Sequence, residues 1–294
     1  MSDRSRTAPS GSGVTPQPAR AWPAGAVEAA FRLLARLRRA PALHPVGLTC
    51  SAELEVVDDG RGPWGVPWLD APGRYAATVR LSRAAGLPRR WPDGLGLAVR
   101  VARADGPDRA LDLLLTSSGR GRITRRLPLP RTDALAGPYS SMISYRIGGR
   151  RGLLAAFPRR TRPGPVHGDP ADLAGALAAG PLVLDLCAET AAAAGAAEAA
   201  GAAEAAGTAG RLRRTADGRT WRVFAVLMVG APLPVPQRES LDFDIYEHSV
   251  PGFAPGRALA ATRRAAYRGS RAGRKGGRGL RAPSQGVPGR PHRP

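Results

Sequence analysis

Alternating apolar and polar residues mark the first regular segment of the chain. From Leu48 to Val56 every second residue is apolar, and the residues between them are Thr, Ser or Glu. A period of two predicts a β-strand with one buried and one open face. The sequence Asp58-Asp59-Gly60 follows directly and predicts a turn.

Similar short patterns recur along the chain. The sequence predicts further strands over Ala76–Arg83, Leu95–Val101, Leu111–Thr116, Leu182–Ala188 and Trp221–Val229. In the first of these, Arg80 and Ser82 lie on one face and Val79 and Leu81 on the other. Several short strands separated by Gly and Asp turns predict an antiparallel β-barrel.

Two segments have the helical period instead. The sequence 26–39 places Phe31, Leu34 and Leu37 on one face and ends before Pro41, which predicts a basic amphipathic helix. A second helix is predicted over 258–273 near the carboxyl end. Together with the strands, these helices predict an α+β protein in which helices surround the barrel.

Composition divides the 294 residues into one domain and three low-complexity segments. Residues 1–24 and 276–294 lack apolar periodicity, which predicts disordered tails. Residues 191–210 repeat the sequence GAAEAA, which predicts an Ala/Gly-rich insertion inside a single domain at 25–275. The net charge is +21, and the segment after Glu247 has eleven Lys or Arg residues and no acidic one. Charge of this size predicts nonspecific attraction to polyanions.

Several classes of protein do not fit the sequence. Cys50 and Cys187 are far apart and have no metal-ligand spacing, which disfavours a disulfide scaffold or a zinc site. Residues 1–20 have no apolar core typical of a secretory signal. The apolar stretch 223–235 is too short for a transmembrane helix. We therefore expect a cytoplasmic protein without a membrane span.

The helix predicted at 258–273 carries the first candidate chemistry. Arg263 and Tyr267 are four residues apart and therefore lie on one face, and Arg274 follows seven residues later. A cation one turn before a tyrosine lowers the pKa of the phenol and favours the phenolate, which is an established axial ligand of haem iron. In an Arg-rich helix the same spacing is also typical of a solvated face, so the pattern alone leaves both interpretations open.

Further motifs occur in a fixed order along the chain. They are His44-Pro45-Val46-Gly47, Val79-Arg80-Leu81-Ser82 with Ala85-Gly86 after it, Asp93-Gly94-Leu95-Gly96 followed by Leu97-Ala98-Val99-Arg100, and Asp112-Leu113-Leu114-Leu115-Thr116. With Arg263, Tyr267 and Arg274, this series resembles the catalase superfamily of haem proteins. The resemblance covers most of residues 44–274. In length, the chain is similar to small catalase-related proteins that keep the barrel and lose peripheral segments.

The resemblance implies a role for each matching residue. His44 corresponds to the distal histidine, which transfers protons to and from peroxide, and Ser82 to the residue that orients its imidazole. Tyr267 corresponds to the iron ligand of haem b, and Arg263 to the residue that keeps it ionised. The implied partners of the haem propionates are Arg80 and Arg274.

Two positions depart from the catalase pattern. Thr116 stands where catalases have the asparagine that orients peroxide, and Pro41 stands where a propionate-binding arginine is expected. The resemblance thus implies haem binding with peroxidase or organic-hydroperoxide chemistry in place of fast catalase turnover. It also implies a small peroxide substrate and allows an oligomer.

Two alternatives stay open beside this hypothesis. A degenerate, non-catalytic member of the fold could hold a different small molecule in the same pocket. The Arg-rich tail 276–294 could bind polyanions or nucleic acid, although it lacks interleaved aromatic residues. The tail and the barrel are separate, so this second activity is compatible with the first.

Overall fold

The computed structural model describes residues 46–88, 90–161, 163–190, 213–214, 220–234 and 241–256. The helices predicted over 26–39 and 258–273 lie outside these ranges, as do the segment 191–210 and both predicted tails.

Eight antiparallel strands close into a barrel within this part of the chain. In their order around the barrel they are β1 (Val46–Val56), β2 (Gly73–Arg83), β3 (Leu95–Val101), β4 (Leu111–Ser117), β5 (Tyr139–Ser140), β8 (Leu154–Pro158), β9 (Leu182–Thr190) and β11 (Thr220–Pro232). Pairing of β1 with β11 closes the ring, and β10 (Arg213–Arg214) pairs with Thr220 and Trp221 at the start of β11. The prediction of an antiparallel β-barrel is confirmed.

The period of two in the sequence explains which side chains fill the barrel. In β2, Ala77, Val79 and Leu81 are buried, whereas Thr78 and Arg80 are half-buried. The same alternation in the neighbouring strands produces an interior of branched aliphatic side chains. They include Leu48, Leu54, Leu97, Val99, Leu113, Leu115, Leu184, Leu186 and Leu227. Burial of this apolar area is the main stabilising contribution to the barrel.

Two barrel strands have no matching prediction. Strand β5 has only two residues, too few to show a period, and all but the last residue of β8 is buried, so the apolar–polar alternation is absent. A small sheet of β6 (Tyr145–Ile147), β7 (Arg150–Gly152) and β12 (Phe253–Pro255) is also unforeseen. Short or fully buried strands are those for which hydrophobic periodicity carries least information.

Aromatic side chains form one continuous group in the main apolar core. The Trp68 ring meets the rings of Tyr75, Phe224 and Phe253 edge to face, at centroid distances of 6.0, 6.3 and 5.5 Å. Edge-to-face contacts of this kind stabilise packing beyond the area that they bury. The helix α1 (Pro67–Asp70) holds Trp68 in place, because the Asp70 carboxylate accepts hydrogen bonds from the backbone N–H groups of Trp64 and Val66.

The turn predicted at Asp58-Asp59-Gly60 is present and carries a buried ion pair. Gly60 has a φ of 69°, and its N–H donates to Asp58 Oδ1. Arg222 Nε and Nη2 donate to the Asp59 carboxylate at 2.7 and 2.6 Å, and the Arg222 guanidinium lies 4.0 Å from the centre of the Trp64 ring. The pair therefore fastens this turn to β11.

Helices are few in the described residues. Besides α1, there is α2 (Pro170–Ala178), which begins after Asp169, whose side chain accepts a hydrogen bond from Ala171 N–H. A short 3₁₀-helix spans Thr124–Arg126. None of the described helices has the length and apolar character needed to cross a bilayer.

Tyr139 provides a test of the barrel interior. The side chain is fully buried in β5, its hydroxyl donates to Ala134 O at 2.9 Å, and burial raises its pKa well above the ordinary value. The folded phenol keeps its proton at a pH where the unfolded phenol loses it. The free energy of unfolding should therefore fall as the pH rises above about 10.

The variant Tyr139→Phe removes this ionisation. We expect its unfolding free energy to fall less steeply above about pH 10, by a difference in slope that approaches about 1.4 kcal/mol per pH unit. Denaturant unfolding at several pH values measures the slopes, with Tyr75→Phe as the control for loss of a half-buried phenol. Equal slopes for the wild type and Tyr139→Phe would contradict the assignment.

Candidate functional site

One row of paired backbone positions crosses the outer face of the barrel from β1 to β5. Gly47 pairs with Ser82, Ser82 with Gly96, Gly96 with Thr116, and Thr116 with Ser140. Directly paired residues project to the same side of a sheet. The row, called the outer row below, thus carries small or hydroxyl-bearing side chains on the side opposite the aliphatic interior.

Arg80 adds a cation beside this row. It pairs with Thr49 on β1 and Ala98 on β3, and Ala98 pairs with Leu114 on β4. A Cβ atom at Gly47 would lie only 3.0 Å from Arg80 Cζ, so the guanidinium lies next to the glycine backbone. The absence of a side chain at position 47 makes this approach possible.

The outer face is largely shielded from solvent at this place. Thr49, Ser82 and Ser140 are buried even though they point away from the aliphatic interior, and Arg80 and Thr116 are half-buried. The Ser82 hydroxyl donates to the backbone oxygen of Gly96 at 3.4 Å. The site offers two hydroxyl groups with a glycine between them, and a guanidinium at one side. Such a set of groups can bind a polar ligand, or a ligand that carries a carboxylate.

The structure places three of the sequence-predicted site residues on one face of the sheet. Arg80, Ser82 and Thr116 come from two strands that are not neighbours, and they share one face of the sheet, with Gly96 between Ser82 and Thr116. His44, Arg263, Tyr267 and Arg274 lie outside the described residues. Their roles stay predictions. Among the residues that the structure describes, no three His, Cys, Asp or Glu side chains gather into a metal-binding group.

A charged cluster farther along the same face was missed by sequence reasoning. Asp112 on β4 is fully buried and accepts hydrogen bonds from Arg100 Nε at 2.8 Å and Nη2 at 2.7 Å. His248 Nδ1 lies 2.9 Å from Asp112 Oδ2, and the Asp244 N–H donates to the same oxygen at 2.7 Å. These bonds fasten the segment 241–256 to the outer face. His248 is 136 residues from Asp112, so no local motif could indicate this contact.

Phe157 belongs to a second, smaller apolar cluster. It packs against Trp221 with ring centres 5.7 Å apart, and the cluster also includes Leu153 and Cys187. Cys50 and Cys187 are both free and buried.

Comparison with known proteins tests the resemblance at the level of the fold. No family model matches the chain, and no curated protein matches its sequence. Among solved structures, catalase A from Saccharomyces cerevisiae superposes with a TM-score of 0.53 and 12% identity, covering 79% of this chain and 60% of that catalase. A fungal catalase gives a TM-score of 0.51 and 13% identity, covering 76% and 56%. The chain has a catalase-like fold.

The same comparisons limit what can be carried over from catalases. The chain spans 60% or less of the length of these two proteins, and at 12–13% identity the likeness shows the fold alone. The comparisons thus establish the catalase-like barrel and no cofactor or activity.

The close contact at Gly47 gives a test of the candidate site. A Cβ atom there would lie 2.6 Å from Leu81 O and 2.8 Å from Ser82 Cβ, which requires the backbone or Ser82 to shift. We expect Gly47→Ala to lower the free energy of unfolding by about 1–3 kcal/mol, the usual cost of overpacking. Urea unfolding measures the change. Gly149→Ala serves as the control, because a Cβ atom at Gly149 meets nothing within 4 Å. Equal stability of both variants would show that Gly47 is not tightly enclosed.

Proposed function

We propose that this catalase-like chain binds haem b against the outer row and uses it in the reduction of peroxides. The observation that carries the proposal is the shared face of Arg80, Ser82 and Thr116, on strands that are not adjacent, in a catalase-like barrel. Each of the three has a role implied by the catalase resemblance, and all three lie together.

The residues present fit the distal side of a haem. The outer row has small side chains, so a flat group can approach the sheet, and Gly96 contributes no side chain between the two hydroxyl groups. The Arg80 guanidinium at the side suits a propionate, because arginine pairs with carboxylates in a two-pronged geometry. The iron ligand in this proposal is the Tyr267 phenolate, which Arg263 keeps ionised by its charge.

The proposed chemistry divides between the cofactor and the chain. Bound haem supplies the iron that exchanges electrons with a peroxide. His44 accepts a proton from the entering peroxide and returns it to the oxygen that leaves. The Ser82 hydroxyl orients the imidazole of His44, and the Thr116 hydroxyl holds the peroxide by a hydrogen bond. Arg80 and Arg274 neutralise the propionates.

Thr116 sets the expected rate in this proposal. A threonine hydroxyl reaches less far than the amide of the asparagine that it replaces, so it aligns the peroxide less tightly. Loss of one oriented hydrogen-bond donor slows a reaction substantially. The proposal therefore expects slow peroxidase or organic-hydroperoxide chemistry rather than fast turnover of hydrogen peroxide.

The first experiment tests haem binding. The full chain, expressed with haem supply, should contain about one haem per chain and show the spectrum of ferric haem with a phenolate ligand. The variant Tyr267→Phe should lose that spectrum, because phenylalanine offers no oxygen ligand. Tyr75→Phe is the matched control, since Tyr75 contacts the Trp68 ring in the core, and it should keep the spectrum.

Two results would contradict haem binding. A colourless protein that folds normally but takes up no haem would favour the degenerate alternative, in which the fold holds another small molecule. A coloured protein with the same spectrum after Tyr267→Phe would show that a different residue binds the iron.

The second experiment tests the role of Thr116. Thr116→Asn should raise the rate of hydrogen peroxide consumption by about tenfold or more, because the amide restores an oriented donor. Thr78→Asn is the control. Thr78 lies on the same face of β2 as Ser82 but is four residues away from it, outside the outer row. An oxygen electrode records the rates. An unchanged or lower rate for Thr116→Asn would remove Thr116 from the proposed site.

A further inference from the structure

A strongly basic loop follows β4 and carries a second candidate site. Residues 119–131, called the arginine loop below, contain five arginines and no acidic residue. Arg120, Arg122 and Arg126 are exposed. Arg125 is buried and pairs with Glu189, with Nη2 3.0 Å from Oε1. One arginine is thus neutralised by this ion pair, while the others give the loop a large excess of positive charge.

Two polar atoms at the ends of this loop are buried without a hydrogen-bond partner. Arg131 Nη2 donates to the backbone oxygen of Ser118, whereas Arg131 Nη1 is buried and has no partner. The Ser118 side chain is fully buried, and its Oγ also has no partner. Buried polar groups that stay unpaired are costly and therefore rare, and the contact of Arg131 Nη2 with Ser118 O places these two residues side by side.

The backbone fixes the position of Arg131. Asp93 and Arg131 exchange two backbone hydrogen bonds, at 3.0 and 2.8 Å, which tie the arginine loop to the turn before β3. Gly137 lies against the guanidinium, because a Cβ atom there would be 2.8 Å from Nη1 and 2.9 Å from Cζ. The guanidinium is therefore held in place, and position 137 is free of a side chain that would displace it.

Charged and ionisable groups lie around the Arg131 guanidinium. Burial lowers the pKa of Arg131, and the nearby charge of Arg120 lowers it further. Tyr139, when ionised, and Asp133 raise the pKa of Arg131, but Asp133 Oδ2 already accepts a hydrogen bond from Arg160 at 3.0 Å. Tyr139 stays neutral because burial raises its pKa, so it supplies no negative charge. Positive charge is thus in excess around Arg131.

We propose that Arg131 Nη1 and Ser118 Oγ, assisted by Arg120, bind a phosphate group, either as inorganic phosphate or as the terminal group of a small phosphate ester. Phosphate offers several acceptor oxygens and a charge near −2, which matches a guanidinium, a hydroxyl and a second nearby arginine. The site uses none of the residues assigned to haem. Its test therefore does not depend on whether the chain binds haem.

Isothermal titration with sodium phosphate tests this site on the full chain. Ionic strength is held constant with sodium chloride, so that nonspecific attraction to the basic chain cancels. We expect saturable binding of one phosphate, which Arg131→Gln and Ser118→Ala each weaken by about tenfold. Arg126→Gln is the matched control, because Arg126 is exposed in the same loop, and it should change affinity by less than about twofold.

The possible outcomes distinguish a specific phosphate site from nonspecific attraction of phosphate to the charged arginine loop. Absence of phosphate binding above the chloride background would overturn the proposal, and so would equal weakening by Arg126→Gln and Ser118→Ala. If Arg131→Gln fails to fold, Ser118→Ala decides the result, since it removes only a hydroxyl. Adenosine monophosphate is titrated in parallel. Tighter binding of this ester assigns a phosphate ester as the ligand, and equal or weaker binding assigns the free anion.

Discussion

The unbroken antiparallel register from β1 to β4 is the constraint on which the candidate haem site depends. Each pairing from Gly47 through Ser82 and Gly96 to Thr116 is direct, without an irregularity between strands β2, β3 and β4. A shift by one residue in any of these pairs would turn its side chains toward the aliphatic interior. The apolar packing of Leu81, Leu97 and Leu115 therefore also determines where the polar side chains of the opposite face lie.

This coupling explains how a short chain can keep the geometry of a catalase-like barrel at 12–13% identity to catalases. The interior requires only aliphatic side chains at alternate positions, and many sequences meet that requirement. The outer face restricts the choice of residue at a few positions. Gly47 must remain without a side chain where Arg80 and Ser82 approach it. Fold and candidate site thus depend on different residues of the same strands.

Much of the barrel could be predicted from periodicity, because β1 to β4, β9 and β11 alternate or form apolar runs. The two-residue strand β5 and the almost fully buried β8 could not, since neither shows a period. The ordered motifs singled out Arg80, Ser82 and Thr116, whose roles stay predictions. The cluster of Asp112, Arg100 and His248 joins residues far apart in the chain, and the unpaired atoms of Arg131 and Ser118 become visible only after folding. An Arg-rich loop without acidic residues was the one sequence signal for that second site.

The location of the iron is the central claim and can be measured directly. Crystals of the full chain grown with haem, with anomalous scattering recorded at the iron edge, give the position of the metal without reference to a model. The account predicts one iron per chain, with a porphyrin lying over the outer row beside Arg80, Ser82 and Thr116. An iron on another face of the barrel, or fully formed crystals without iron, would contradict it.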